Sequence, residues 1–228
     1  SDDTVARAVA YVLTIGKKPV VVKDCPGFLV NRTLFMYFGG FHKLMREGAD
    51  HAQVDQAMEK WGWPMGPAYL SDVVGLDTAV HAGDVVANGF ADRLLLDYKS
   101  TTHVLVEAGR YGQKNGKGYY KFEKNDKGRL EKRVDPEVKT LFAPHVAATQ
   151  SFSDEDIVAR VMIPMAIEMA RCLEEGIAGS PQEADQALLY GLGFPTFRGG
   201  ICRWMDEVGL AEICAMADKY AHLGGMYH

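Results

Sequence analysis

The stretch "DCPGFLVNRTLF", Asp24 to Phe35, decides how the chain folds around it. Its Pro26-Gly27 pair predicts a sharp turn, because proline presets one backbone angle and glycine accepts conformations that other residues avoid. The β-branched run "PVVV" (residues 19–22) precedes the turn, and a long apolar segment follows it. One polar pair, Asn31-Arg32, interrupts that segment where a helix is expected to begin. The asparagine therefore requires an explanation.

The residues before the turn predict one helix and one strand. Ser1 is a suitable N-cap for the helix. The apolar side chains that share one helical face are Val5, Val9, Val12 and Leu13. "PVVVKD" is typical of the short apolar strands that parallel sheets bury. Because a single helix–strand unit cannot form a sheet, we expect the chain to begin just before the last helix and strand of an α/β domain.

After Asp24 the chain contains two copies of one helical pattern. Copy one begins at "FLVNRTLF" and copy two at "DIVARVMI". Charged residues, glycines and prolines recur in the same order in both copies, so the repeat predicts two similar helical domains. The matched pairs are Arg32 with Arg160, Glu47 with Glu175, Asp55 with Asp185, Gly62 with Gly193, Pro64 with Pro195, Asp72 with Asp206 and Gly75 with Gly209.

Helix boundaries are marked in both copies. Gly48 and Gly176 are predicted to end their helices in the left-handed conformation. Capping-box patterns begin at Asp50 in copy one, and at Ser153 and Ser180 in copy two. The apolar stripe of the first long helix is assigned to the core; it comprises Phe35, Met36, Phe38 and Phe41.

The connector between the copies, "YGQKNGKGYYKFEKNDKGRLEKR", carries eight Lys/Arg against three Asp/Glu. Its glycines and charges predict a solvated loop and linker. The alternative is that some of its lysines contact the phosphates of a nucleotide cofactor. It is not a P-loop, since only three residues separate Gly112 from Gly116 and a glycine follows Lys117. It is not a dinucleotide fingerprint either, because no strand precedes it and no helix follows it.

The composition excludes several classes of function. The net charge of −5 over 228 residues is spread along the chain, which argues against a nucleic-acid-binding surface. No apolar run approaches the roughly 18 residues of a membrane span. The four cysteines lack CxxC spacing and the histidines lack metal-ligand spacing, so neither disulfides nor a metal are expected. These features predict a cytoplasmic protein without an integral membrane segment.

Several runs match a known family. "KKPVVVKDCPGFLVNR", "EGAD", "WGWPMGPAYLSDVVGLD" and "YGQKNGKGYYKF" resemble the C-terminal part of L-3-hydroxyacyl-CoA dehydrogenases. Copy two is similar to the tandem helical domain of the α subunits of bacterial fatty acid oxidation complexes. Those multifunctional enzymes join enoyl-CoA hydratase and 3-hydroxyacyl-CoA dehydrogenase in one chain. The resemblance covers essentially all of the sequence.

The resemblance implies a mainly α fold with two tandem copies of the 3-hydroxyacyl-CoA dehydrogenase C-terminal helical domain. The expected parts are the last helix and strand of a truncated Rossmann domain (1–24), a first helical domain (25–122), a linker (123–152) and a second, degenerate helical domain (153–228). NAD would bind mainly to the missing Rossmann domain, which in the family also holds the catalytic His–Glu pair. The chain is therefore expected to contain no catalytic residue and to be inactive alone.

Asn31 is the main candidate for contact with substrate. In the family, the asparagine of the PGFxxNR motif approaches the substrate and the catalytic histidine. A carboxamide offers both a donor and an acceptor without titrating. The alternative is that Asn31 caps the helix. Copy two has Ala159 at the aligned position but keeps Arg160, which favours a functional role for the asparagine.

Two further site residues follow from the resemblance. Tyr190 resembles a substrate-contacting tyrosine of the α subunits, and a core tyrosine is the alternative. Lys114 matches a lysine that reaches the cofactor in single-domain relatives, unless the linker to copy two repositions it. An ammonium there would be a point charge for a phosphate or hydroxyl group.

The repeat also predicts how the copies pack. Arg32 in copy one and Arg160 in copy two occupy the aligned position, so we expect structural roles for both. They would either hydrogen-bond the carbonyls at a helix end or pair with Asp72 and Asp206. Single-copy relatives resemble homodimers that pair through this domain. Copies one and two are therefore expected to share an apolar core about an approximate two-fold axis, with one active half.

The sequence thus predicts the C-terminal substrate-binding and pseudo-dimerisation region of a fatty acid β-oxidation enzyme. Its substrate would be an acyl-CoA, and its partner a thiolase β subunit in a multienzyme complex. One alternative is a non-enzymatic helical module for dimerisation or docking. Another is a Rossmann-linked dehydrogenase that acts on a small hydroxy acid.

Overall fold

The computed structural model describes residues 1–148 and 150–228, and this part of the chain is mainly helical. Strands β1 (Tyr120–Lys124) and β2 (Leu130–Val134) form an antiparallel hairpin. The helices are α1 (Asp2–Thr14), α2 (Val30–Arg46), α3 (His51–Trp61), α4 (Pro67–Val74), α5 (Leu76–Gly89), α6 (Ala91–Leu94), α7 (Thr101–Glu107), α8 (Pro136–Phe142), α9 (Asp154–Glu174), α10 (Pro181–Leu192), α11 (Ile201–Val208) and α12 (Leu210–Tyr220). Copy one holds α2 to α7, and copy two holds α9 to α12.

The N-terminal helix α1 lies on the surface. Ser1 caps it as predicted, by accepting a hydrogen bond from the Thr4 N–H. None of its residues is buried, and Val5 and Leu13 are 42% and 55% exposed. The strand predicted in "PVVVKD" is wrong for this structure, because residues 17–25 have no regular secondary structure. A strand needs a neighbour to share its hydrogen bonds, and the described residues place no strand beside this segment.

The turn before α2 forms as predicted. Gly27 has φ +76°, and an added Cβ would lie 2.8 Å from the Arg32 nitrogen, so no other residue fits. The helix begins at Val30, and no side chain caps its N-terminus. Asn31 lies inside the first helical turn. The alternative that Asn31 serves as the helix cap is therefore wrong.

Helix boundaries follow the predicted signals. Gly48 and Gly176 adopt φ +92° and +67° directly after α2 and α9 end. Asp50 accepts hydrogen bonds from two N–H groups at the start of α3. Ser153 and Ser180 likewise accept from the N–H groups of the third residues of α9 and α10. The capping predictions are confirmed.

The centre of the molecule is the contact between α2 and α9, the first helices of the two copies. Gly40 allows the close approach, because a Cβ there would collide with the Arg160 carbonyl oxygen. Fully buried side chains from both helices fill one core, which confirms the shared apolar core that the repeat predicts. They include Met36, Phe41 and Leu44 from α2, and Val161, Met162, Met165 and Met169 from α9.

Two reciprocal ion pairs cross this contact. Arg32 of copy one bonds both carboxylate oxygens of Glu175 in copy two, at 2.6 and 2.9 Å. Arg160 of copy two bonds both carboxylate oxygens of Glu47 in copy one, at 2.9 and 2.7 Å. The two arginines occupy the same position in the two copies, and so do the two glutamates. A rotation that exchanges the copies would therefore place each ion pair on the other. This exchange agrees with the expected approximate two-fold axis.

The predicted aspartate partners of these arginines are wrong. Asp72 instead accepts hydrogen bonds from the Tyr119 and Tyr120 N–H groups, at 2.8 and 2.9 Å. Its counterpart Asp206 is exposed on α11. The difference has a physical reason, because the segment that Asp72 holds follows only copy one within the described residues.

A second aligned pair of aspartates joins helices within each copy. Asp55 on α3 accepts two backbone N–H bonds from the first turn of α4, and Asp185 on α10 does the same for α11. Gly66 and Gly200 precede those turns, and a Cβ at either would collide with the aspartate. The repeat therefore conserves a helix-to-helix anchor from one copy to the other.

The connector is more ordered than the predicted loop. Its alternating residues form the β1–β2 hairpin, in which Tyr120 and Phe122 are buried. After the hairpin, Asp135 caps α8 and binds Arg110 at 2.7 Å. The loop prediction is wrong here because a period of two places aromatic side chains on one face while the charged ones stay in solvent.

The buried ion pairs of Arg32 should contribute far more to the free energy of unfolding than an exposed ion pair does. Arg32→Ala is expected to lower the free energy of unfolding by about 3–5 kcal/mol, because it leaves the buried Glu168 with less compensating charge. Lys60→Ala is the control, since its pair with Asp154 also joins the copies but is exposed, and it should cost less than about 1 kcal/mol. Urea unfolding measures both, and equal losses would contradict the prediction.

The close approach of α2 and α9 should depend on Gly40. Alanine is the better helix former by about 1 kcal/mol, yet Gly40→Ala should destabilise the chain by about 1–3 kcal/mol because of the collision with backbone. Gly83→Ala is the matched control, since its Cβ would meet only the Phe35 ring, at 3.1 Å. Thermal unfolding in which Gly40→Ala is as stable as Gly83→Ala would refute this explanation.

Candidate functional site

Asn31 lies on the surface of copy one, next to the buried interface. Its neighbour Arg32 is fully buried against α9, whereas Asn31 is exposed. The Asn31 carboxamide makes no hydrogen bond to any other described residue, although Thr33, two residues later, bonds the Leu29 and Val30 carbonyls. A free carboxamide at this position can bind a ligand through one donor and one acceptor.

Tyr190 comes close to the same surface from copy two. It lies near the end of α10 and is 63% exposed, so the alternative of a core tyrosine is wrong. An added Cβ at the adjacent Gly191 would lie 3.3 Å from a methyl carbon of Val30, which adjoins Asn31. The structure therefore brings the neighbourhoods of Asn31 and Tyr190 together across the two copies.

Lys114 lies in a 3₁₀ turn (Gln113–Asn115) and forms an ion pair with Asp77 in the first turn of α5. Lys114 holds the pKa of Asp77 below its usual value. Val86, near the other end of α5, packs against Gly27. The nine residues from Asp77 to Val86 span about 13 Å of helix axis. The structure therefore does not place Lys114 beside the turn that precedes Asn31.

The segment that carries Lys114 is held firmly by Asp72. Burial raises the pKa of Asp72 to about 7, although the hydrogen bonds from Tyr120 and Tyr119 favour its charged form. Gly112 and Gly118 pack directly on Asp72, and a Cβ at either would collide with it. Lys114 is consequently a half-exposed cation on a segment whose backbone is held in place by Asp72.

A cavity of about 370 Å³ opens between α2, α5 and residues 94–103. Phe35, Phe38 and His42 line it from α2, and Val80 and Gly83 line it from α5. The sequence pattern assigned Phe35 and Phe38 to the core, yet Phe35 is only half-buried and faces this space. Gly83 of α5 was the available signal, because a position without a side chain leaves room beside the Phe35 ring.

The charges near the cavity are already paired. His103 lies 3.3 Å from Asp84 through Nε2 and 2.8 Å from the Ser100 hydroxyl through Nδ1. Lys99 is bound to Glu107 at 2.7 Å. These side chains form a polar edge around a mainly apolar space.

His42 is the buried polar group in the cavity wall. Burial lowers its pKa to about 3, and His103 acts in the same direction. Its Nδ1 atom is buried and has no hydrogen-bond partner among the described residues. The imidazole is therefore neutral at pH 7, and the α2 wall of the cavity carries no charge.

The described residues do not form a complete cofactor site. Their two strands make an antiparallel hairpin, whereas dinucleotide fingerprints need a parallel strand followed by a glycine turn and a helix. Among residues 1–148 and 150–228, no group of three His, Cys, Asp or Glu side chains is placed to hold a metal ion. No helix in that part is both long and apolar enough to span a bilayer.

Comparison with known proteins places these features in a family. The model of the 3-hydroxyacyl-CoA dehydrogenase C-terminal domain matches residues 27–122 and 157–226, one range in each copy. The chain belongs to this family. The family assignment made from the sequence motifs is confirmed.

Curated relatives and solved structures agree with this assignment. The fatty acid oxidation complex subunit alpha of Pseudomonas aeruginosa is 53% identical over 227 residues, and that of Pseudomonas paraeruginosa is also 53% identical. Both matches cover 100% of this chain, which spans 32% of each relative's length. The similarity to α subunits of fatty acid oxidation complexes that the sequence motifs indicated is therefore confirmed, and this chain spans about a third of the length of these relatives.

Two solved structures share the fold. The dehydrogenase part of multifunctional enzyme 1 from C. elegans is 28% identical with a TM-score of 0.70, and the match covers 98% of this chain and 50% of that one. The 3-hydroxybutyryl-CoA dehydrogenase from Escherichia coli is 22% identical with a TM-score of 0.75, and the match covers 100% of this chain and 63% of that one. The mainly α fold class of the 3-hydroxyacyl-CoA dehydrogenases is thereby confirmed.

The buried His42 should make stability depend on pH. Its folded-state pKa is lowered from 6.5 to about 3, so the unfolded state binds more protons and stability falls as pH drops below 6.5. Between pH 6.5 and 5 the loss from this group is about 2 kcal/mol. His42→Gln should remove that part of the acid-side loss, as measured by urea unfolding at pH 5 and 7.5. His81→Gln, at an exposed position on α5, is the control and should retain it.

Proposed function

We propose that this chain forms the C-terminal, substrate-binding part of an NAD-dependent L-3-hydroxyacyl-CoA dehydrogenase in a multifunctional β-oxidation enzyme that also carries enoyl-CoA hydratase. Two observations support the proposal: 53% identity to a fatty acid oxidation complex subunit alpha, and a free, exposed carboxamide at the family's PGFxxNR asparagine. The chain would act with an upstream nucleotide-binding domain and be inactive without it.

Asn31 would bind the oxygen on carbon 3 of the acyl chain. In the alcohol substrate that oxygen can both donate and accept a hydrogen bond, whereas in the ketone product it can only accept one. A carboxamide can serve both states, since it presents an N–H donor and a C=O acceptor and has no charge to lose. Arg32 fixes the first turn of α2 from the buried side, so the amide is held in place by the interface between the copies.

Tyr190 would contact the substrate from copy two. Its exposed ring and hydroxyl suit the edge of an acyl-CoA groove, and its helix packs on the start of α2. Lys114 would contact the cofactor, and for this it must exchange its partner Asp77 for a phosphate or hydroxyl group. Both roles require the upstream domain to close over this surface.

The proposed assembly is a soluble cytoplasmic complex with a thiolase β subunit. Each of these relatives is named as a subunit of a complex, which supports a protein partner. The exposed apolar face of α1 would pack on the upstream domain. The competing proposal is a non-enzymatic helical docking module, in which Asn31 would be dispensable.

A chimera separates these proposals. It joins the upstream two-thirds of the Pseudomonas aeruginosa subunit to this chain, and NADH formation from 3-hydroxybutyryl-CoA is measured. We expect an active chimera, and we expect Asn31→Ala to lower kcat/KM by about 100-fold, because a substrate hydrogen bond of roughly 3 kcal/mol is lost in the transition state.

Two controls accompany the chimera. Asn88→Ala removes an exposed asparagine from α5 and should leave kcat/KM unchanged, while this chain without the upstream part should form no NADH. Unchanged hydride transfer in Asn31→Ala would favour the docking module. Activity that requires a small hydroxy acid rather than an acyl-CoA would instead support the other dehydrogenase class.

A further inference from the structure

The cavity beside α2 lies along the same helical stripe that presents Asn31. Asn31, Phe35, Phe38 and His42 follow one another at spacings of four, three and four residues, which places them on one stripe of the helix. The last three line the cavity. From Asn31 to His42 the stripe runs about 16 Å along the helix axis. Asn31 and the cavity therefore lie on the same side of α2, with Asn31 one helical turn before the first lining residue.

Copy two has no equivalent space on its matching stripe. The residues aligned with Asn31, Phe35 and Phe38 are Ala159, Ile163 and Ala166, and all three are buried. Helix α12 and the C-terminal residues pack against α9 in that copy. The two copies share their fold anchors, so the fold itself does not require the cavity. The cavity lies beside the copy that carries the asparagine, and the matching stripe of the other copy is filled, which points to a ligand.

The walls of the cavity suit a hydrocarbon. Phe35, Phe38 and Val80 are apolar, and Gly83 leaves the space open where a larger side chain would meet the Phe35 ring. His42 is uncharged, and the polar side chains Asp84, His103 and Lys99 lie at the more exposed edge and contact other polar residues. Burial of a methylene chain here is favourable by about 0.8 kcal/mol per CH₂ group.

We propose that this cavity holds the distal part of the substrate's acyl chain, with Val80 and Gly83 on α5 setting the length that fits. The proposal rests on the proposed function for the identity of the ligand, an acyl thioester whose carbon 3 lies at Asn31. The hydrocarbon site itself is a property of this chain. Residues of α5 would thus determine the preference for long over short chains.

The test measures binding first and catalysis second. Isothermal titration calorimetry of this chain should detect hexadecanoate, and Val80→Phe should weaken that binding at least tenfold by filling the cavity. Ala87→Phe, at another lining position of α5, is the second variant in case one fails to fold. Val85→Phe is the matched control, because Val85 is 54% exposed on the same helix and does not line the cavity.

In the chimera, Val80→Phe should lower kcat/KM for 3-hydroxyhexadecanoyl-CoA at least tenfold and leave that for 3-hydroxybutyryl-CoA within twofold. No hexadecanoate binding by the wild-type chain, or an equal loss for both substrates in both cavity variants, would overturn the proposal. Hexadecanoate binding that Val80→Phe removes, together with an inactive chimera, would refute the proposed dehydrogenase role and retain the hydrocarbon site.

Discussion

Neither copy can neutralise its own buried arginine, and the rest of the structure follows from this constraint. Arg32 is fully buried, and its charge is met by Glu168 and Glu175, both from copy two. Burial alone would lower the pKa of Arg32, but the hydrogen bonds with Glu175 and Glu168 raise it instead. A copy separated from its partner would expose a charged helix face surrounded by apolar side chains. The contact between the copies therefore neutralises buried charge as well as burying apolar side chains.

The interface is also asymmetric, and the asymmetry lies where function is proposed. Glu168 of copy two is aligned with Gly40 of copy one. Copy two therefore adds a carboxylate to the interface at a position where copy one has no side chain. Glu168 also binds Arg93 at 2.9 Å, which ties the end of copy one's helices to α9. On the other side, the Tyr227 hydroxyl donates to the Arg160 carbonyl at 2.8 Å. The C-terminal residues thus close the α9 face that corresponds to the open face of α2.

Local signals in the sequence predicted local structure well. The cap at Asp50, the turn at Gly27 and the helix ends at Gly48 and Gly176 all depend on one residue and its immediate neighbours. The charged partners of Arg32 were mispredicted because Glu175 lies 143 positions away, and the repeat aligns Glu47 with Glu175 without showing that each pairs with the arginine of the other copy. The cavity was missed because its walls come from three separate segments, and because pattern alone treats a glycine such as Gly83 as a helix breaker.

The strand predicted at residues 19–24 failed to form for a different reason. "PVVV" has the composition of a buried strand, but composition describes only what a segment prefers when a neighbouring strand is available. Within the described residues this segment has no such neighbour, and a backbone N–H of Lys23 bonds the Ile177 carbonyl instead.

Comparison of the two copies separates folding constraints from functional ones. The anchors Asp55 and Asp185 and their glycines are retained because the same helix junction must be closed twice. Asn31 is exposed whereas the aligned Ala159 is buried, so these positions differ in environment as well as in residue, and the cavity-lining stripe diverges with them. A position that the fold demands should appear in both copies, whereas a position that a ligand demands needs to appear only where the ligand binds. By this criterion the open face of α2, and not the shared core, is the surface where we propose that the ligand binds.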